Sequence, residues 1–136
     1  MGGKTNKMET QQDLDIGIGS KEVEALKPAT VKIENTRIET VGEKGNKKVV
    51  CAVKHPDKED TIKISSVKYE KNNKIVTTGL WFDKDSDGLI KKGSALAVLM
   101  NFVKANTLKE LNGKELVTAQ DDKGYLCFKA YWDLQL

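Results

Sequence analysis

Arginine is nearly missing from this sequence: of 23 basic residues only Arg37 is an arginine, and the rest are lysines. Arginine's planar fork reads guanine edges and grips phosphate through paired bonds. Its scarcity excludes base-specific recognition of a duplex, whereas lysine neutralises a phosphate backbone without reading it. Cysteine occurs twice, at Cys51 and Cys127, and neither stands in a Cys-x-x-Cys or Cys/His constellation. Zinc binding and thiol redox chemistry are therefore not expected. Each cysteine lies in a dense apolar run, which reads as two buried thiols in a reducing compartment, with cytoplasm the expected location. A single disulfide between two strands is the alternative that spacing leaves open. No run approaches the roughly 18 apolar residues of a membrane span, and the start of the chain has no apolar core of a secretory leader. "MGGKTN" carries Asn6 where a myristoylation site wants Ser or Thr. Aromatic residues are 6% of the chain, few for a surface on which bases stack.

What is present is the composition of one globular domain: 136 residues, 38% hydrophobic and 32% charged, enough for one core and too few for two ordinary ones. The net charge of +3 is uneven, since residues 1–27 hold four lysines against five acids and the remainder carries the excess of base. Residues 1–27 are polar and Gly-rich without a sustained period. Such a segment buries too little to offset its ordering entropy and is expected to be a flexible N-terminal tail, leaving 28–136 as a single domain. Within the tail "KEVEAL" fits a helical turn before Pro28. "DLDIGIG" has the make-up of a short docking motif for a protein partner, and "GIGSK" lacks the spacing and preceding strand of a phosphate loop.

From Ala29 the pattern alternates. "TVKIENTRIETV" places Val31 and Ile33 on one face and then changes phase toward Ile38, which predicts a long strand with a bulge or sharp bend. "EKGNKK" is a Gly/Asn turn, "VVCAVKHP" a second strand closed by Pro56, and "TIKISSVKYE" a third with Ile62 and Ile64 alternating against Lys63 and Ser65. "KNNK" turns the chain into "IVTTGLWF". The period then lengthens: "SALAVLMNFVKAN" reads as a buried helix with Ser94 as N-cap. "TLKELNG" is a short helical turn capped by Thr107 and stopped by Gly113, and a closing hairpin folds "KELVTAQ" onto "YLCFKAYW" around "DDKG".

Between the hairpin and the helix stands "DKDSDGLIKKGS", whose Asp83, Asp85 and Asp87 imitate the opening of a calcium loop. That loop wants a glutamate at its twelfth position and a helix on each side. Here the twelfth residue is Ser94 and the preceding element reads as a strand. The three aspartates are weak metal candidates; the run is expected to be a solvated connector turning at Gly88, and no cofactor is expected.

The order of elements (long bent strand, strand, strand with a hairpin extension, helix, strand, strand) resembles the OB-fold over about residues 29–132, a mainly β, five-stranded barrel with one helix between strands 3 and 4. An α+β open antiparallel sheet with one covering helix is the alternative. The resemblance implies that single-stranded nucleic acid or oligosaccharide lies on the outward face of strands 2 and 3, between the loops joining strands 1–2 and 4–5. Burying Val49, Cys51 and Val53 turns Lys48, Val50, Ala52 and Lys54 outward; burying Ile62 and Ile64 turns Lys63, Ser65, Val67 and Tyr69 outward. Lys44 and Lys47 flank Gly45 in the first loop, and Lys123 and Tyr125 flank Gly124 in the last. Trp81 either joins this surface or plugs the core, for which Phe82, Phe102, Phe128 and Trp132 are also expected.

No nucleophile elbow, His-Glu-x-x-His, P-loop or Rossmann fingerprint is present. The single histidine, His55, is expected as a polar residue at a strand edge rather than a general base. The expectation is a non-catalytic protein binding single-stranded nucleic acid, DNA in preference to RNA, with a protein-interaction or assembly module next and calcium binding third. No membrane association is expected.

Overall fold

Two β-branched runs separated by a glycine-flanked turn begin the fold. In the computed structural model, which describes residues 26–133, β1 (Thr30–Val41) and β2 (Asn46–Lys54) pair antiparallel from Val41–Asn46 to Lys32–Lys54. Gly42 and Gly45 close the turn at φ 78° and 73°, the left-handed region that glycine enters without a steric cost. The register shifts between Ile33 and Asn35. This is the expected bulge: it moves the face shared with the core from Val31 and Ile33 to Thr36 and Ile38, whose partners Cys51 and Val49 are buried, although Ile38 itself stays 44% exposed.

The third strand run divides. β3 (Ile62–Ile64) pairs with Cys51, Ala52 and Val53 of β2; after Ser65 alone, β4 (Ser66–Lys71) pairs instead with β5 (Lys74–Gly79). The β4–β5 hairpin turns at Asn72 and Asn73, both left-handed at φ 53° and 66°, the backbone that a two-residue turn of this twist requires. Beyond β5 the chain returns to β2: the amide of Val49 donates to the carbonyl of Leu80 at 2.8 Å, and that of Phe82 to the carbonyl of Lys47 at 2.8 Å. The free edge of β2 is thus shared between β3 and Leu80–Phe82.

Helix α1 (Ala95–Phe102) begins where Ser94 Oγ accepts the amide of Ala97 at 3.2 Å, and it buries Leu96, Leu99 and Met100. A 3-10 turn, Leu108–Leu111, starts from Thr107, whose side chain accepts the amide of Glu110. Both caps stand where the sequence placed them. β6 (Glu115–Gln120) and β7 (Leu126–Lys129) form the final hairpin; β6 also pairs with the start of β1, and β7 runs parallel to β4.

Among the described residues the chain is mainly β with one α-helix. The ladders order the seven strands as one open mixed sheet, β3-β2-β1-β6-β7-β4-β5, rather than a closed five-stranded barrel. The physical reason is the break at Ser65, which divides one expected strand in two, together with the β5 hairpin. The open-sheet alternative is closer, although the β4–β7 pairing is parallel where that alternative had every pairing antiparallel. The core lies between the inner faces of β1, β2 and β4 and the helix, with Ile33, Val53, Val67, Leu80, Leu99 and Phe128 at its centre. Among the described residues no helix is long and apolar enough to cross a membrane.

Both cysteines are free and buried, so the disulfide reading falls. Cys51 sits in the core opposite Thr36, and the thiol of Cys127 donates to the carbonyl of Ala119 at 3.6 Å. The first 25 residues, including "DLDIGIG" and most of "KEVEAL", lie outside the described residues. Leu26 and Lys27 are hydrogen-bonded into the fold, the first through its carbonyl to Gln120 Nε2 and the second through its carbonyl to His55 Nε2.

Candidate functional site

Alternation along β2 decides the outer face. With Val49, Cys51 and Val53 buried, Lys48, Val50, Ala52 and Lys54 point away from the core. Residues directly opposite in an antiparallel ladder share a face. Glu39 of β1 therefore lies beside Lys48, Arg37 beside Val50, and Lys63 of β3 beside Ala52. On the other edge of β2, Trp81 forms an isolated bridge with Lys48. Trp81, Lys48 and Glu39 consequently form one row across three neighbouring backbones.

Within that row the Lys48 ammonium stands 5.0 Å from the centre of the Trp81 ring, a cation–π contact of about 0.5–1 kcal/mol at an exposed site. Gly79 is its floor. A Cβ there would lie 2.8 Å from Lys48 Cε and 3.0 Å from Trp81 Nε1, so any other residue would displace both side chains. Trp81 keeps 37% of its surface exposed, which settles the choice between surface and core: the ring is at the surface, with one side held by the lysine.

The row continues into a bridge of charges. Arg37 Nη2 lies 3.1 Å from Glu39 Oε2, and Lys63 Nζ lies 3.9 Å from the same oxygen. Because Lys63 is on β3 and Glu39 on β1, the pair passes over β2. Val50, an outward residue of β2, is accordingly only 7% exposed beneath it. Each partner is well exposed, and pairs of this kind contribute about 0.2–1 kcal/mol, so the bridge is easily exchanged for another anion.

The other expected residues have different fates. Lys54 donates to the carbonyls of Lys58 and Glu59 and holds the loop after β2. Lys44 is exposed in the β1–β2 turn, whereas Lys47, exposed on β2 beside Lys48, lies by alternation on the Val49 side of the sheet and not in the row. Lys123 and the exposed Tyr125 sit in the β6–β7 turn, where Asp121 Oδ1 accepts both of their amides at 2.9 Å.

Tyr69 and Val67 are corrections. Tyr69 is 5% exposed and Val67 is fully buried, because the break at Ser65 flips the strand by one residue and turns both side chains inward. His55 is fully buried, not an edge residue: its Nδ1 accepts the Asp57 amide at 3.0 Å, so Nε2 carries the proton and donates to the Lys27 carbonyl at 2.8 Å. Trp132 leaves the core altogether. It is 81% exposed, its ring 4.6 Å from that of Phe102, at a groove of about 440 Å³ that Val117 and Tyr131 also line.

The aspartate run is a tight hairpin. Lys84 and Ile90 bridge, Asp85 Oδ1 accepts the amides of Asp87 and Leu89 at 2.9 and 3.0 Å, and Gly88 turns at φ 80°. The Asp121–Tyr125 turn repeats this arrangement, with Gly124 at φ 88°. In both, one carboxylate oxygen holds the backbone of its own loop. Asp83, Asp85 and Asp87 do not converge, and no three His, Cys, Asp or Glu residues gather at metal-binding distance among the described residues.

Sequence alternation missed Arg37, Glu39 and Gly79. The first two were within reach: a turn spanning residues 42–45 fixes Val41 opposite Asn46, and counting back places Glu39 at Lys48 and Arg37 at Val50. Compared with protein-family models, curated proteins and solved structures, the chain gives no significant match.

Proposed function

We propose that this chain is a non-catalytic protein that binds single-stranded nucleic acid, DNA before RNA and without reading its sequence, on the outer face of β2. The observation that carries the reading is the row of Trp81 and Lys48 over Gly79. A half-covered indole offers a ring for a base, the adjoining ammonium offers charge for a phosphate, and Arg37, Lys63 and the turn residue Lys44 extend that charge along the strand's path.

The strand pairings support an OB-like arrangement. β1 pairs with β2, β2 with β3, β4 follows β3 across Ser65, β4 runs parallel to β7, β7 pairs with β6, and β6 pairs with β1. In this reading β3 and β4 are one broken strand, the helix falls between it and β6, and the row lies on the face where such folds hold single strands. Two free buried thiols fit a reducing compartment, the cytoplasm. A second reading, an assembly module, has its own observation in Trp132 exposed beside Phe102. Self-association seen by light scattering and lost in Trp132→Ala would favour it.

The test of the first reading is fluorescence anisotropy with labelled oligo-dT over a series of salt concentrations. Binding at low salt is expected, with log K falling by about 0.7 for each phosphate contacted per tenfold rise in salt. No anisotropy change at low salt overturns the reading.

A further inference from the structure

Glu39 is an acid among the charged side chains Arg37, Lys48 and Lys63 of the outer face. Arg37 and Lys63 both reach its Oε2, at 3.1 and 3.9 Å, and Lys48 is its register partner on β2. Two cations, from β1 and β3, therefore hold one carboxylate, and a third, Lys48, is its neighbour across the ladder on β2. In the absence of a ligand this carboxylate prevents their mutual repulsion and holds the bridge that covers Val50.

We propose that Glu39 occupies the phosphate subsite of the free protein, and that a phosphodiester of a bound single strand displaces it from between Arg37 and Lys63. This rests on the reading of the outer β2 face as a nucleic-acid surface and assigns one point on it. A phosphodiester carries one negative charge over two oxygens, as a carboxylate does, and the arginine fork accepts either. The spacing agrees. Trp81, Lys48 and Glu39 are direct neighbours across three backbones, so Trp81 and Glu39 stand about 10 Å apart at the usual separation of strands. A nucleotide with its base against Trp81 spans that row and lays a phosphate over Glu39, with the Lys48 ammonium between the two.

The device has a consequence for selectivity. A tethered carboxylate competes at high effective concentration, so an isolated phosphate ion displaces it poorly. A strand engages Trp81, Lys48 and the turn residue Lys44 at once and gains enough contacts to displace it. Glu39 thereby sets a threshold that favours polyanions over small anions.

The test compares the wild type with Glu39→Gln, which keeps the shape and removes the charge, and with Glu115→Gln, which removes the same charge from the start of β6, opposite Lys32 at the other end of β1 from Glu39. Oligo-dT anisotropy is measured over a salt series, with thermal melting to verify that all three proteins are folded. Glu39→Gln is expected to bind about threefold to tenfold more tightly at low salt, with a salt dependence steeper by about one phosphate contact; Glu115→Gln is expected to stay near wild type. If the wild type binds but Glu39→Gln is unchanged or weaker, or is matched by Glu115→Gln, the subsite is overturned and the nucleic-acid reading stands. If neither the wild type nor Glu39→Gln binds at low salt, the reading itself falls and the subsite with it.

Discussion

Tyr69→Ala separates the fold described here from the one that simple alternation suggests. The ring is 5% exposed, on the same inward face as the fully buried Val67. A buried aromatic removes roughly 150–250 Å² from water, and at about 25 cal/mol per Å² this amounts to about 4–6 kcal/mol. Truncations of buried aromatic residues in other cores cost about 3–5 kcal/mol. With a urea dependence of about 1–3 kcal/mol per molar, the unfolding midpoint should fall by roughly 2 M at mid-range, and the loss is a large share of the stability of most domains of this size. Urea unfolding followed by far-ultraviolet circular dichroism measures this directly. The folded fraction of the variant should keep its affinity for oligo-dT, because the ring lies inside. A variant that loses less than about 1 kcal/mol while losing oligonucleotide binding would place Tyr69 on the outer face and refute the phase change at Ser65.

Two further predictions concern buried groups. His55→Ala leaves the Asp57 amide and the Lys27 carbonyl without their partner and should cost about 2–4 kcal/mol, with faster hydrogen exchange at Asp57; a loss under about 0.5 kcal/mol would show that those bonds hold nothing. Burial pushes the Cys51 thiol from 9.0 up to about 11, against a smaller opposing effect from its hydrogen bond with Thr36. The folded state thus holds this proton more tightly than the unfolded chain. The contribution, roughly 2–3 kcal/mol, is present below about pH 9 and is lost as pH rises toward about 11. Urea midpoints should therefore fall more steeply with rising pH in the wild type than in Cys51→Ala, and parallel curves would contradict this.

The same spacing was read in one strand and missed in another. In β1 the inward face steps from Ile33 to Thr36, and in the third run from Ile64 to Val67, each a gap of three where a regular strand has two. The first was legible because Ile38 made the change of phase conspicuous. The second was hidden by two serines, which suit either face, so the strand was carried through Ser65 unbroken and Tyr69 was sent outward. The helix start at Ser94 and the hairpin at Asn72–Asn73 were legible because each depends on local chemistry, a hydroxyl cap and a left-handed turn. The row of Trp81, Lys48 and Glu39 depends on pairing between segments distant in sequence, and Gly79 matters only through what lies above it. His55 was misplaced because its partner, the carbonyl of Lys27, lies 28 residues away.

Because the chain has two tryptophans, one spectrum can locate the ligand. In a nitrogen–proton correlation spectrum the indole N–H groups of Trp81 and Trp132 give separate signals, assigned by substituting each in turn. On titration with oligo-dT at low salt, the Trp81 indole and the amides of Arg37, Glu39, Lys48 and Lys63 should shift together while Trp132 stays in place. Movement of Trp132 with Trp81 unmoved, or no shift in either, would remove the outer face of β2 as the binding surface.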